Sequence, residues 1–277
     1  PVGRTTRPVH SYFALVAPSP AVQIVADAQR AFLSEALAGT PLADLPLLSA
    51  VAPFKAGGRP GPGNFTEIPA GALALRHVAE LYLYPNSIRA VRVTGAQIRD
   101  WLERAARVFR QVAPGARDAP LLDPDCPSYN FDVIHGLTYE IDVSQPARHD
   151  RSGAVVARGA ARIRSLRWNG RPVDPAQDFL VATNSYRAGG GGGFPGLSPE
   201  AVVFEAADTN RDIVRRHIRA AGTIDPAPAR VWRFAPLPGT TVTFDTGPGA
   251  RACLHELDGA EPLCETPEGF LRLRLRL

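Results

Sequence analysis

Residues 179–196 read FLVATNSYRAGGGGGFPG. The first five, Phe179 to Thr183, form an apolar, β-branched run that predicts a buried strand. The run stops at Asn184 and Ser185, followed by an aromatic (Tyr186), a cation (Arg187) and the five glycines Gly189 to Gly193. Consecutive glycines lose much entropy on ordering, so a fold that keeps five has a use for bare backbone. One use is close approach of backbone N–H groups to a ligand, with Tyr186 as a flat wall beside it. The other reading is a flexible surface loop. A phosphate-cradling P-loop is excluded, because it ends in Gly-Lys-Ser/Thr and the one lysine is Lys55. A dinucleotide fingerprint is excluded too: Phe194 stands where its third glycine belongs, and Pro195 and Gly196 oppose a helix directly after it.

The 277 residues suffice for one large domain or two modest ones with a sizeable core. No apolar run approaches the ~20 residues that span a bilayer, so no membrane partner is expected. Pro1 to Arg4 carry no signal-peptide h-region, which leaves export open if the chain begins mid-protein. The formal net charge is +4, and its arginines are scattered among carboxylates instead of gathered in a stripe. That pattern argues against a nucleic-acid polymer as partner. Of the three cysteines, Cys253 and Cys264 flank a turn (residues 258–262), where a hairpin disulfide would imply an oxidising compartment. No Cys-x-x-Cys pair exists, which disfavours a zinc knuckle.

Residues 2–17 read as extended. Ser19-Pro20 then has the look of an N-cap with proline in the first turn, opening a helix whose stripe is Val22, Val25, Ala26, Phe32, Leu33 and Leu37. Residues 52–62 are a loop carrying Lys55 and Arg59. Pro85 pushes Tyr84 towards extended geometry, and Ile88 to Val93 predict a strand. Thr94-Gly-Ala-Gln97 has capping-box spacing ahead of a helix with Ile98, Trp101, Leu102, Ala105 and Phe109 buried. Residues 114–127 read as a surface connection. Strands are expected over 137–143 and 162–168, the latter turning at Asn169-Gly170. A helix capped by Asp208 or Thr209 follows the glycines, and beyond Pro236 alternation predicts a small β appendage. The mixture indicates an α/β or α+β fold.

None of the six histidines falls in a His-x-His, His-Glu-x-x-His or Asp-x-His cluster, and no Gly-x-Ser-x-Gly elbow is present. We therefore expect no catalytic residue and no metal ligand in this chain.

The string ATNSYRAGGGGGFPGL (182–197) resembles the signature Ala-Thr-Asn-Asn-Tyr-Arg-Ala-x-Gly-Gly-Gly-x-Phe-Pro of the C-terminal domain of bacterial 2′,3′-cyclic-nucleotide 2′-phosphodiesterase/3′-nucleotidases, a branch of the 5′-nucleotidase family. HSYFALVAPSPAVQIVADAQ (10–29), APFKAGGR (52–59), AELYLYPNSIRAVRVTGAQIRDWLE (79–103), YNFDVIHGLTYEIDVSQPARHD (129–150) and WNGRPVDPAQDFLVATNSYR (168–187) agree with it in order. The resemblance covers residues 1–236, so the expected division is a 5′-nucleotidase-type substrate-binding domain over 1–236 and a β extension over 237–277.

The resemblance implies a four-layer α-β-β-α architecture and a nucleotide or nucleoside as small-molecule partner. Tyr84 and Tyr186 would clamp the base, Asn86 would hydrogen-bond it, and Arg59 would reach the phosphate. Gly190 and Gly191 would supply backbone beside the ligand. On residues alone, both tyrosines read as core packing; the resemblance reverses that. Gly192 stands where the 5′-nucleotidase branch places an aspartate, which favours the cyclic-phosphodiesterase branch. The resemblance further implies a separate N-terminal metallophosphoesterase domain holding two divalent metal ions, with no cofactor in this chain, and a periplasmic or cell-surface location. The alternatives are a 5′-nucleotidase substrate domain, a stand-alone nucleoside-binding module and a purely structural domain.

Overall fold

In the computed structural model, which describes residues 1–277, the run 179–183 lies inside the strand Asp178–Asn184. Phe179, Leu180, Val181 and Ala182 are fully buried, so both faces of this strand are covered. It is the middle of a five-stranded mixed sheet in the order Val202–Thr209, Ser87–Thr94, Asp178–Asn184, Leu47–Val51, Val133–His135. The pairing with Ser87–Thr94 is antiparallel and unbroken from Asp178↔Thr94 to Asn184↔Ile88, whereas that with Leu47–Val51 is parallel.

Helices α1 (Pro20–Ala36), α2 (Leu75–Leu81), α3 (Gly95–Ala105), α4 (Ser185–Ala188) and α5 (Asn210–Ala221) surround the sheets. α1 packs on α5 and on two central strands, while α3 bridges the central sheet and the strand Ile163–Trp168 of a second sheet. That second sheet runs Arg171–Pro172, Ile163–Trp168, Leu137–Ile141, Trp232–Phe234. Its hairpin turns at Asn169 (φ 48°) and Gly170 (φ 76°), the paired positive φ values that an Asn-Gly turn supplies.

The capping box forms at α3: Gln97 N–H donates to Thr94 Oγ1 (3.3 Å), and Thr94 N–H donates to Gln97 Oε1 (2.8 Å). The far end of α3 is held by a buried arginine. Arg162 donates to the carbonyls of Ala106 (2.8 Å) and Phe109 (2.9 Å), and burial lowers its pKa to about 10. Ser19 precedes α1 as expected, yet its hydroxyl donates to His10 O (3.2 Å) and caps nothing in the helix.

Three expectations need correction. Residues 11–17 are not extended: after the short strand Val9–His10 the chain turns, with Val16 and Ala17 N–H donating to Phe13 O. The stretch 114–127 is not merely a surface connection, since Ala119–Pro120 is a strand and Leu121 is fully buried. Cys253 and Cys264 are not joined; all three cysteines are free thiols.

Beyond Pro236 the strands Thr241–Thr246, Ala260–Glu265 and Leu271–Arg276 form a sheet whose fourth member is Ala119–Pro120. Leu271, Leu273 and Leu275 are buried, between the more exposed Arg272, Arg274 and Arg276. Their side chains join those of the preceding residues in one continuous core of 64 buried residues. No helix is long and apolar enough to cross a membrane.

Candidate nucleoside-binding site

Asn184↔Ile88 is the last register pair of the two central antiparallel strands. Tyr84 precedes one strand and Tyr186 follows the other, so the pairing brings both aromatics to the same end of the sheet. Ser185 Oγ accepts from Ser87 N–H (3.2 Å) and ties the two segments at that point. Between them opens a cleft of about 250 Å³ lined by Ala52, Phe54, Tyr84, Asn86, Tyr129, Asp132, Asn184, Tyr186 and Arg187.

Tyr84 is 43 % exposed and Tyr186 48 % exposed, so neither is a core side chain. Tyr84 is held edge-on by Phe54, with ring centroids 5.4 Å apart and planes at 79°. Phe54 in turn meets buried Tyr82 edge-on at 4.9 Å. Burial pushes the Tyr82 hydroxyl up to about 12, and it faces the Asn86 amide at 3.5 Å. Asn86 is half-buried, and its backbone carbonyl accepts from Asn210 N–H (2.9 Å).

Tyr186 stands on α4, a single turn begun by Asn184, whose Oδ1 accepts from Arg187 N–H (2.9 Å). Arg187 is buried and spends its donors inside the protein. Its Nε and Nη2 bond Asp132 at 2.8 and 3.0 Å, and Nη2 also donates to Tyr129 O (2.6 Å). The guanidinium lies 3.9 Å from the Phe194 ring centroid and 5.7 Å from that of Tyr186. Trp101 on α3 completes the set, its indole N–H donating to Asp132 Oδ2 (2.7 Å). Arg187 and Asp132 thus form a buried bidentate pair that braces the aromatic wall.

The glycines serve packing. A Cβ on Gly191 would lie 2.6 Å from two ring atoms of Tyr186, and one on Gly192 would collide with the Arg187 guanidinium. Gly193 touches the backbone of Ser152, and Gly153 that of Gly193. At Gly190 (φ 96°) a Cβ would make only an ordinary contact with Leu197 O (3.8 Å), and the positive φ is what favours glycine there. Neither Gly190 nor Gly191 lines the cleft, so the loop approaches protein there and not the cavity.

Arg59 stands elsewhere. Its side chain is 86 % exposed, lies 3.7 Å from Asp125, and borders a broader trough of about 960 Å³. That trough runs between residues 108–129 and the C-terminal strands, sharing Phe54, Tyr84 and Tyr129 with the cleft. Phe54, Tyr129 and Asp132 escaped the sequence reading. Only Asp132 had a detectable signal, since a carboxylate in the otherwise apolar run 131–134 calls for a partner.

The histidines remain scattered. His135 is buried with no hydrogen-bond partner on either ring nitrogen, and burial lowers it to about 4. His77 accepts the Ala74 N–H (3.1 Å) at the start of α2. One grouping of three metal-capable side chains exists, His10 with Cys253 and Glu256, which spacing in the sequence did not signal.

The model of the 5′-nucleotidase C-terminal domain matches residues 1–199. The chain belongs to the 5′-nucleotidase family, whose C-terminal domain it contains. It is 44 % identical over 247 residues to the trifunctional nucleotide phosphoesterase protein YfkN of Bacillus subtilis, covering 89 % of this chain and 17 % of that protein. To the 2′,3′-cyclic-nucleotide 2′-phosphodiesterase/3′-nucleotidase of Salmonella typhimurium it is 44 % identical over 263 residues, covering 91 % of this chain and 40 % of that protein. The chain thus spans well under half the length of these relatives, and in the cyclic-nucleotide phosphodiesterase/3′-nucleotidase it corresponds to the C-terminal part. Among solved structures, the 5′-nucleotidase precursor of Thermus thermophilus superposes with a TM-score of 0.63 at 13 % identity, covering 86 % of this chain and 40 % of that one. The likeness to that structure is one of fold.

Proposed function

We infer that this chain is the substrate-binding part of a metal-dependent phosphoesterase acting on 2′,3′-cyclic nucleotides and 3′-nucleotides. The observation that carries the reading is the meeting of Tyr84, Asn86 and Tyr186, drawn from two distant segments, around one cleft. Its volume, about 250 Å³, lies just under the ~300–1,000 Å³ of ordinary small-molecule sites, which suits a base with its sugar at the mouth. Stacking on the tyrosine faces contributes ~1–3 kcal/mol per face, and it tolerates any base. Asn86 offers an amide donor and acceptor to the base edge. The ribose and phosphate extend towards the trough that Arg59, Arg110 and Arg272 border.

Hydrolysis belongs, in this reading, to an N-terminal two-metal domain of the same protein, in a periplasmic or cell-surface setting. There the two ions would activate water and stabilise the attacking and leaving oxygens. Here the domain's own residues bind and orient: the clamp holds the base, and Arg187 with Asp132 fixes the wall it stacks on. The high identity to the cyclic-nucleotide relatives, and Gly192 at the position where the 5′-nucleotidase branch carries aspartate, favour this branch over a 5′-nucleotidase.

Calorimetric titration of the chain with adenosine and 3′-AMP tests the reading. Binding between roughly tens of micromolar and millimolar is expected, the range that two stacked faces give. Tyr84→Ala and Tyr186→Ala should each weaken it by ~1–3 kcal/mol. Unchanged affinity in both variants would return the domain to a purely structural role. Phosphate release from the chain alone with Mn²⁺ or Zn²⁺, abolished by a chelator, would overturn the division of labour.

A further inference from the structure

His10 ends the short strand Val9–His10 near the start of the chain, and Cys253 and Glu256 lie on the 3₁₀ segment Pro248–Glu256 of the extension. One nitrogen of His10, the Cys253 sulfur and a Glu256 oxygen all lie within 4.8 Å of one another. His10 is 5 % exposed and packed against the ring of Tyr12 (5.0 Å, 27°), so its position is fixed. Its Nε2 lies 2.8 Å from Glu256 Oε2, and its buried Nδ1 has no hydrogen-bond partner in the chain. Cys253 is a free, partly buried thiol, and Glu256 is partly exposed at the solvent side. Glu67 is the cross-strand partner of His10 and adds negative charge towards the Cys253 sulfur.

We propose that His10, Cys253 and Glu256 bind one zinc-type divalent cation, fastening the extension to the N-terminal strand. The donor set is one imidazole, one thiolate and one carboxylate, a combination that suits a borderline-soft ion and disfavours Mg²⁺ and Ca²⁺, which take oxygen alone. Bond lengths of ≈ 2.0–2.3 Å place ligand atoms roughly 3.3–3.8 Å apart. The three donors already lie within 4.8 Å of one another, and His10 Nε2 and Glu256 Oε2, now 2.8 Å apart, would part slightly to admit the ion. Three protein ligands leave a fourth position for water. On binding, the Cys253 S–H proton goes to solvent and the sulfur pair goes to the metal, with no change of oxidation state. The bridge joins residues 246 positions apart, His10 and Glu256, so it closes a long loop of the unfolded chain.

Co²⁺ and Zn²⁺ titration of the metal-stripped 277-residue chain tests the site, with no nucleotide present. One Co²⁺ per chain is expected, with a near-ultraviolet sulfur-to-cobalt band that Zn²⁺ displaces. Cys253→Ser should abolish the band, and His10→Gln and Glu256→Gln should weaken binding by more than the roughly 10–100-fold that loss of an outer-shell partner costs. Zn²⁺ should also slow alkylation of Cys253 while leaving Cys126 and Cys264 unaffected, a readout in the unmutated chain that survives a variant failing to fold. Absence of stoichiometric metal, or a band and alkylation rate indifferent to these side chains, would leave only a hydrogen bond between His10 and Glu256 and overturn the proposal.

Discussion

Tyr186 rests on Gly191 so closely that an alanine there could not keep the ring in place: its Cβ would lie 2.6 Å from two ring atoms and from the Tyr186 carbonyl. Gly191→Ala is therefore expected to lower adenosine affinity as much as removing the ring, by ~1–3 kcal/mol, measured by calorimetry on a variant whose melting temperature is checked in parallel. An unchanged affinity would mean that the ring plays no part in binding. Arg187→Ala reports on stability instead. It strands the buried Asp132 carboxylate and takes the support from under Phe194, so a loss of about 3–5 kcal/mol in urea unfolding is expected. The half-exposed rings of Tyr84 and Tyr186 needed the family signature to be told from core aromatics, because single residues carry no label of burial. Phe54 and Tyr129 stayed hidden for a related reason: each reaches the cleft through a tertiary contact that leaves no local pattern, whereas Asp132 showed only as a charge in an apolar run.

Among the elements, those fixed by local chemistry were readable in advance. The Thr94–Gln97 box, the Asn169-Gly170 turn and the strand Asp178–Asn184 each follow from residues adjacent in sequence. Thr94→Ala should remove the cap on α3 and cost ~1 kcal/mol in thermal or urea unfolding, the usual value of an N-cap hydroxyl. A loss below the error of the measurement would mean that packing of Trp101 and Leu102 alone holds the helix start. Elements set by distant partners were not readable. Ala119–Pro120 is a strand only because Thr241–Thr246 lies beside it, and residues 11–17 turn because Ser11 meets Thr66. The glycine loop misled in the same way: its bare backbone admits Tyr186, Arg187 and the loop at Ser152–Gly153, and the sequence shows neither how close these come nor from which side.

At the scale of the molecule, acid stability and the unity of the core can be tested. Burial holds His135 at about 4 against an ordinary 6.5. As pH falls through 6.5 the unfolded chain takes up this proton while the folded chain refuses it until about pH 4, so stability falls across that window. His135 alone accounts for up to about 3 kcal/mol of that fall. Desolvation lowers His77, His149 and His217 too, and they act in the same direction. Urea unfolding from pH 7 to about pH 4.5 should show a shallower decline for His135→Leu than for the unaltered chain; equal slopes would refute the assignment. A chain ending at Pro236 would uncover Leu121 and the free edge of Ala119–Pro120. It should bind a hydrophobic dye and aggregate, whereas a clean monomer with intact nucleoside affinity would mark residues 237–277 as dispensable.

The strand at Ala119–Pro120 also sets an order of events. While a ribosome is still extending the chain, this edge can find no neighbour until more than a hundred further residues have emerged and Thr241–Thr246 appears. Residues 119–120 must wait for residues 241–246, so this sheet closes late, and any chaperone that shields the nascent domain should be found holding it at that unpaired edge.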